Sequence, residues 1–299
     1  MVLNIKRSSS LDDADNDSDV LTPFPHQVGG HTPFTCLPNG HLLKPCDERE
    51  IFFYHNMPKD IRSIAPVCCS TIQGHSFTSH HDCCSVCMAT VLSNLVIPKS
   101  IEGSPILKKR KLSRNFIVIG DITHGMRSPC VLDLKLGTRQ HGDGASPQKA
   151  HGQIAKCLAT TSATMGIRLC GMKYFGDNGC QVVVNKYDGR AMDESHLTQA
   201  IYLFFHSFPR AVTEVRRRIA EIKSVLVQCP GLRLFGASLL VAIEAEPLPG
   251  DFPSSLAKVC IVDFANATFP GFLVDNLYDG IDDGSILGLD TLDHLLMNI

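Results

Sequence analysis

Pro129-Cys130-Val131-Leu132-Asp133-Leu134-Lys135-Leu136-Gly137-Thr138-Arg139-Gln140-His141 reads as a strand that changes character on alternate residues. Successive side chains of an extended chain point to opposite faces, so Leu132, Leu134 and Leu136 enter a core while Asp133, Lys135, Arg139 and His141 share the other face. One carboxylate among fixed cations suits phosphoryl transfer. The lysine neutralises charge on the moving group, the acid orients a hydroxyl or nucleotide group, and further cations hold a phosphate-rich acceptor. The competing reading is an exposed, ion-paired strand face.

Downstream, Ser146-Pro147 opens a helix over about 146–160, with serine as N-cap and proline in the first turn. Lys149, Gln153 and Lys156 then fall on one face, and Ala150, Ile154 and Cys157 on the other. That places paired cations beside the strand; the alternative is a solvated helix face. Val259-Cys260-Ile261-Val262-Asp263-Phe264 reads as a buried strand ending in an acid, which suits either a Mg²⁺ ligand facing ATP phosphates or a turn cap.

Upstream, Pro38-Asn39-Gly40 joins two short β-like pieces as a hairpin turn, and Asp47–Tyr54 reads as a helix opened by acids. Asn115–Ile119 predicts a strand running into Gly120-Asp121. Between them, residues of about 70–113 are expected to form a long insertion loop. It carries His80, His81, Cys83, Cys84 and Cys87, with Cys84-x₂-Cys87 as the one zinc-like spacing, and the basic run Lys108–Lys111. Residues 1–22, rich in serine and aspartate, predict a disordered tail. Toward the C-terminus the pattern predicts strands at 180–186 and 258–263, two helices split at Pro209 within 193–228, and a helix near 288–297.

The chain has 299 residues, 44% apolar and 19% charged, enough for a substantial core. A net charge of −2 provides no global basic field, which argues against a nucleic-acid partner. No apolar run approaches the length of a membrane span, and no segment resembles a secretory signal. Thirteen cysteines at irregular spacing read as reduced thiols, so a cytoplasmic location is expected, with nuclear entry an option through Lys108–Lys111.

Pro129, Asp133, Lys135 and Gly137 match the PxxxDxKxG signature of the inositol polyphosphate kinases, and the run to Asp143 resembles the inositol hexakisphosphate kinase branch. Further matching blocks are His26–His31, Lys44-Pro45 with Arg49-Glu50 and Phe53-Tyr54, Thr161–Thr164 with Gly166–Met172, Asn185–Tyr187 with Gly189-Arg190, Ser238–Leu240, Val262–Ala265 and Gly288-Leu289. The resemblance implies a two-lobed α+β fold of the protein-kinase/ATP-grasp kind. An antiparallel-sheet N-lobe would occupy 23–120, and a larger α+β C-lobe 121–299.

It also implies an ATP- and Mg²⁺-dependent transferase acting on a soluble inositol polyphosphate. Lys44 would contact ATP phosphates, Glu50 would orient Lys44, and Asp121 would meet the base at the hinge. Asp133 would lie near the ribose or the accepting group. Lys135 would bridge the transferred phosphoryl and the acceptor, Asp263 would hold the metal with Ser238 close by, and Lys186 would bind substrate phosphate. Arg139, His141, Lys149 and Lys156 are assigned to the substrate from the strand and helix geometry. Inositol hexakisphosphate is the expected acceptor; the alternatives are a hydroxyl of a less phosphorylated inositol, or a regulatory binding module. Two departures stand out: Gly152 and Ala155 occupy helix positions where close family members carry arginines, and Gly120 replaces a usual hinge acid.

Overall fold

The computed structural model describes residues 22–30, 32–74, 76–79, 115–176 and 178–299. The acidic tail up to residue 21, the histidine–cysteine cluster at 80–87 and the basic run at 108–111 lie outside them. Two five-stranded sheets, antiparallel throughout, organise the chain. The first contains β1 (Thr35–Leu37), β2 (His41–Pro45), β3 (Cys68–Gln73), β4 (Ser76–Ser79) and β5 (Asn115–Gly120), in the order β1-β2-β5-β3-β4. Asn39 and Gly40 take positive φ at the β1–β2 turn, a conformation that asparagine and glycine tolerate.

The expected insertion loop needs correction at its start, because β3 and β4 pair antiparallel at the sheet edge. These short polar strands lack the long apolar alternation by which a strand is recognised. Helix α1 (Glu48–Asn56) starts where Asp47 accepts a hydrogen bond from the Glu50 amide at 2.8 Å. A short helix, α2 (Lys59–Arg62), follows it.

The second sheet contains β6 (Pro129–Leu136), β7 (Ile167–Phe175), β8 (Gln181–Val184), β9 (Ser238–Glu244) and β10 (Ala257–Val262), in the order β10-β9-β6-β7-β8. β6 is central, and Leu132, Leu134 and Leu136 are fully buried on its core face, as alternation predicts. Its helices are α3 (Pro147–Leu158), α4 (Ser162–Met165), α5 (Lys186–Ala191), α6 (Glu194–Phe205), α7 (Pro209–Val227), α8 (Pro253–Leu256) and α9 (Asp283–Leu296). The long helix α7 packs on β10 and against α9. Phe53 of α1 stacks on Phe264, just beyond β10, with centroids 4.8 Å apart, and edge contacts to Phe269 and Phe272 help it join the two halves.

The α+β expectation holds. Helix α9 begins five residues before its expected start and includes Gly284 and Gly288, both of which serve close packing. A Cβ at Gly288 would lie 2.4 Å from the Gly166 carbonyl oxygen. Among the described residues no helix is long and apolar enough to cross a membrane. Replacing Gly288 with alanine must push α9 off this turn; urea denaturation should show a loss of about 1–3 kcal/mol.

Candidate active site

A cavity of about 430 Å³ opens between the two sheets. At its centre the Lys44 ammonium, carried by β2, donates to Glu50 Oε1 and to Asp263 Oδ1, each at 2.7 Å. Glu50 comes from α1. Asp263 follows β10 at φ 68°, a left-handed conformation that aims its carboxylate back at the cavity. Lys135 Nζ lies 3.6 Å from the other Asp263 oxygen and donates to the Gly236 carbonyl at 2.6 Å.

Burial works against all of these charges, and the pairings decide the outcome. Lys44 is desolvated, yet Asp263 and Glu50 hold its ammonium above the ordinary lysine range. Burial pushes Asp263 up, but Lys44 and Lys135 prevail and hold it below the ordinary carboxylate range. For Glu50 burial prevails over Lys44 and the carboxyl is raised, although the Phe264 amide also donates to it at 3.2 Å.

Asp133 sits beside this chain of charges with 6% exposure. Burial pushes its carboxyl up to about 6, against the pull of Lys135, and its Oδ1 has no hydrogen-bond partner. Its cover comes from residues 26–30, which line the cavity as a strap together with Phe24, Thr32 and Phe34. A Cβ on Gly29 would fall 1.9 Å from Asp133 Oδ2, and one on Gly171 of β7 would fall 2.0 Å from the Val28 carbonyl oxygen. The strap is stapled by Gln27, which accepts from the Phe34 amide at 2.8 Å and donates to the Gly29 and Thr32 carbonyls at 2.9 Å. Beneath it, Lys173 Nζ meets His26 Nδ1 at 2.6 Å. Burial lowers both pKa values, and Lys173 depresses that of His26 further.

Asp121, just past β5, lines the cavity, and its Oδ1 accepts from the Thr123 amide and hydroxyl at 2.7 Å. Lys149 and Lys156 of α3 and Lys186 of α5 line the cavity as well. Ser238 lies fully buried opposite Lys135 in the β6–β9 register, beneath the lining.

Arg139 and His141 are not brought to the cavity, which corrects their assignment to the substrate. β6 ends at Leu136, and Gly137 at φ 85° turns the chain, so the alternation does not continue. Arg139 lies 4.0 Å over the Phe235 ring and donates to Asp143 at 2.7 Å, to the Tyr278 hydroxyl and to the His141 carbonyl. Arg168 and Arg190 line the cavity although the sequence reading gave them no role. Ile167-Arg168-Leu169 carries the same period-two signal as β6, and Arg168 pairs with Lys135 across β6–β7.

This site and fold define a class. Residues 116–297 match the family model described as inositol polyphosphate kinase, more than half of the chain, and the protein belongs to that family. Among curated proteins it is 34% identical to inositol hexakisphosphate kinase 1 of Mus musculus over 223 residues, 62% of this chain and 51% of that protein. It is also 34% identical to human inositol hexakisphosphate kinase 3 over 209 residues, with the same two shares. Human inositol hexakisphosphate kinase 1 aligns over 91% of this chain and 92% of its own at 26% identity. In the mouse kinase 1 and human kinase 3 matches, the chain spans about half the length of the relative. The crystal structure of inositol phosphate multikinase Ipk2 from S. cerevisiae, in complex with ADP and Mn²⁺, superposes with a TM-score of 0.60 at 19% identity, covering 86% of this chain and 98% of that one. It shares the two-lobed fold.

The buried Asp133 carboxylate makes one expectation specific. Its folded pKa is raised, so its charge costs stability above about pH 6. The cost vanishes below about pH 4, where the group is protonated folded or unfolded. Asp133→Asn should therefore stabilise the ligand-free protein by about 2–3 kcal/mol at pH 8 and by much less at pH 4.5, read from thermal melts at the two pH values.

Proposed function

We propose that the protein transfers the γ-phosphoryl group of ATP to an inositol polyphosphate, with inositol hexakisphosphate as acceptor and an inositol pyrophosphate as product. One observation carries this reading. The Lys44–Asp263–Lys135 chain of alternating charge lies between two sheets and shares one cavity with cations from α3, β7 and α5. The relatives' names and the ADP and Mn²⁺ bound to the yeast multikinase point the same way.

The residues present fit a nucleotide-borne divalent ion. Mg²⁺ takes one or two carboxylates and completes its shell with phosphates and water. Asp263 offers an ionised, half-buried carboxylate, and no group of three or more His, Cys, Asp or Glu forms a protein cage among the described residues. When bound, the ion would neutralise charge on the ATP phosphates.

In this reading Lys44, aligned by Glu50, binds the nucleotide phosphates, and Asp121 stands at the base. Lys135, pinned by Gly236, reaches the phosphoryl group in transfer and spreads its negative charge. Asp133 orients the accepting oxygen or the ribose, and Lys149, Lys156 and Lys186 hold acceptor phosphates. Catalysis is then alignment and charge neutralisation under a strap that excludes water. A second reading, transfer to a hydroxyl of a less phosphorylated inositol, is favoured by α3, which carries two cations toward the cavity, Lys149 and Lys156, with Gly152 and Ala155 between them. The ten described cysteines are free thiols, which supports a reducing, cytoplasmic or nuclear setting.

The test is Mg-ATP-dependent phosphorylation of a panel from inositol trisphosphate to hexakisphosphate, with products separated by anion exchange. Wild type should convert the hexakisphosphate, and Asp263→Asn and Lys135→Ala should lose at least a hundredfold in kcat. Preferential conversion of lower phosphates would establish the second reading. Ligand binding without turnover in wild type would leave a regulatory module.

A further inference from the structure

Three cations on three elements meet at the cavity wall away from the Lys44–Asp263 pair. Arg168 stands on β7, Lys156 on α3 and Arg190 on α5. Close packing brings α5 there, since a Cβ on Gly189 would lie 2.2 Å from the Leu169 carbonyl oxygen. Arg168 is 3% exposed. Its terminal nitrogens donate to Gln140 Oε1 at 3.2 Å and the Thr160 hydroxyl at 3.5 Å, and its charge also acts on Cys170 and, favourably, on Asp133. Its Nε–H is buried with no partner, and so is that of Arg190. Lys156 reaches Gln153 Oε1 at 3.1 Å. Among the described residues no carboxylate forms an ion pair with any of the three.

Such an arrangement is unfavourable by itself. Burial, then Arg190 and Arg168, depress the Lys156 pKa, so the cations repel one another. A buried N–H without an acceptor also carries a desolvation cost. A tetrahedral dianion resolves both, because its oxygens accept from the guanidinium N–H groups while its charge screens the repulsion.

We propose that Arg168, Arg190 and Lys156 form a subsite for a standing phosphate of the acceptor, one that is held and not transferred. The subsite deepens the kinase reading above and rests on it. It also supplies from β7 and α5 the positive charge that Gly152 and Ala155 do not supply on α3. Arg168 and Arg190 are then substrate-binding residues, and the selectivity for a highly charged acceptor is built into the sheet.

The test compares the full chain as wild type, Arg168→Gln, Arg168→Lys and Arg190→Gln, with KM for ATP and for inositol hexakisphosphate and calorimetric Kd for the hexakisphosphate. Each glutamine variant should raise the acceptor KM and Kd at least tenfold and leave the KM for ATP within twofold; Arg168→Lys should recover part of the loss. Wild-type acceptor KM and Kd in Arg190→Gln overturn the subsite. If Arg168→Gln shows no cooperative melt, Arg190→Gln, on a half-buried surface helix, decides alone. If wild type neither phosphorylates nor binds any inositol phosphate, the kinase reading fails separately. Calorimetry with tripolyphosphate then decides the subsite: binding that Arg190→Gln weakens tenfold supports it, and binding absent from wild type or unchanged in the variant overturns it.

Discussion

A single buried ammonium constrains this molecule more than any other group. Lys44 is 7% exposed and keeps its charge only because Glu50 and Asp263 both reach it. Removing either carboxylate would leave charge in a desolvated site, which costs several kcal/mol. The two carboxylates come from opposite halves of the fold, so the sheets must meet in one relative position for the charge to be tolerated. Other contacts between the halves serve the same register. Phe53 stacks on Phe264, the residue after Asp263, and Arg49, next to Glu50, donates to both Asp275 oxygens and to the Ala267 carbonyl at 2.9 Å. The segment that delivers Asp263 therefore also grips the helix that delivers Glu50.

The strap over Asp133 works by a different constraint, the absence of side chains. Gly29 and Gly171 allow the backbone at Val28 to lie on β7 and its neighbour to lie on the Asp133 carboxylate. That contact desolvates Asp133, and desolvation is what raises its pKa. A steric feature of two glycines thus becomes an electrostatic property of a third residue. β6–β7 pairing shifts between Asp133 and Leu134, so that Cys170 is skipped in the register, and Arg168 and Cys170, two residues apart, both line the cavity.

Much of this was legible in the sequence because strand alternation is a strong signal where one face is buried. Leu132, Leu134 and Leu136 told the core face of β6 and thereby placed Asp133 and Lys135. Ser146-Pro147 marked the start of α3, and Asp47 marked that of α1. The same rule failed where the period broke. Gly137 ends the alternation, so Arg139 and His141 were carried too far, and Arg139 instead braces Asp143 and Tyr278. Arg168 carries a pattern as clear as that of Lys135, since Ile167 and Leu169 on either side of it are buried and it faces the cavity between them. The early start of α9 had no such signal, since Gly284 and Gly288 are required by neighbouring backbone that lies far off in sequence. The partnership of Lys173 with His26 had no local signal, because 147 positions separate them.

The first sheet leaves β4 at its edge and resumes at β5 in its interior, with residues 80–114 between. The ladders that β5 forms with β2 and β3 fix its place without reference to the length of that connection. The same ladders hold the β2 residue Lys44 and the end of β5 at Gly120-Asp121 on one wall of the cavity. What this sheet contributes to the site is therefore specified by strand pairing alone.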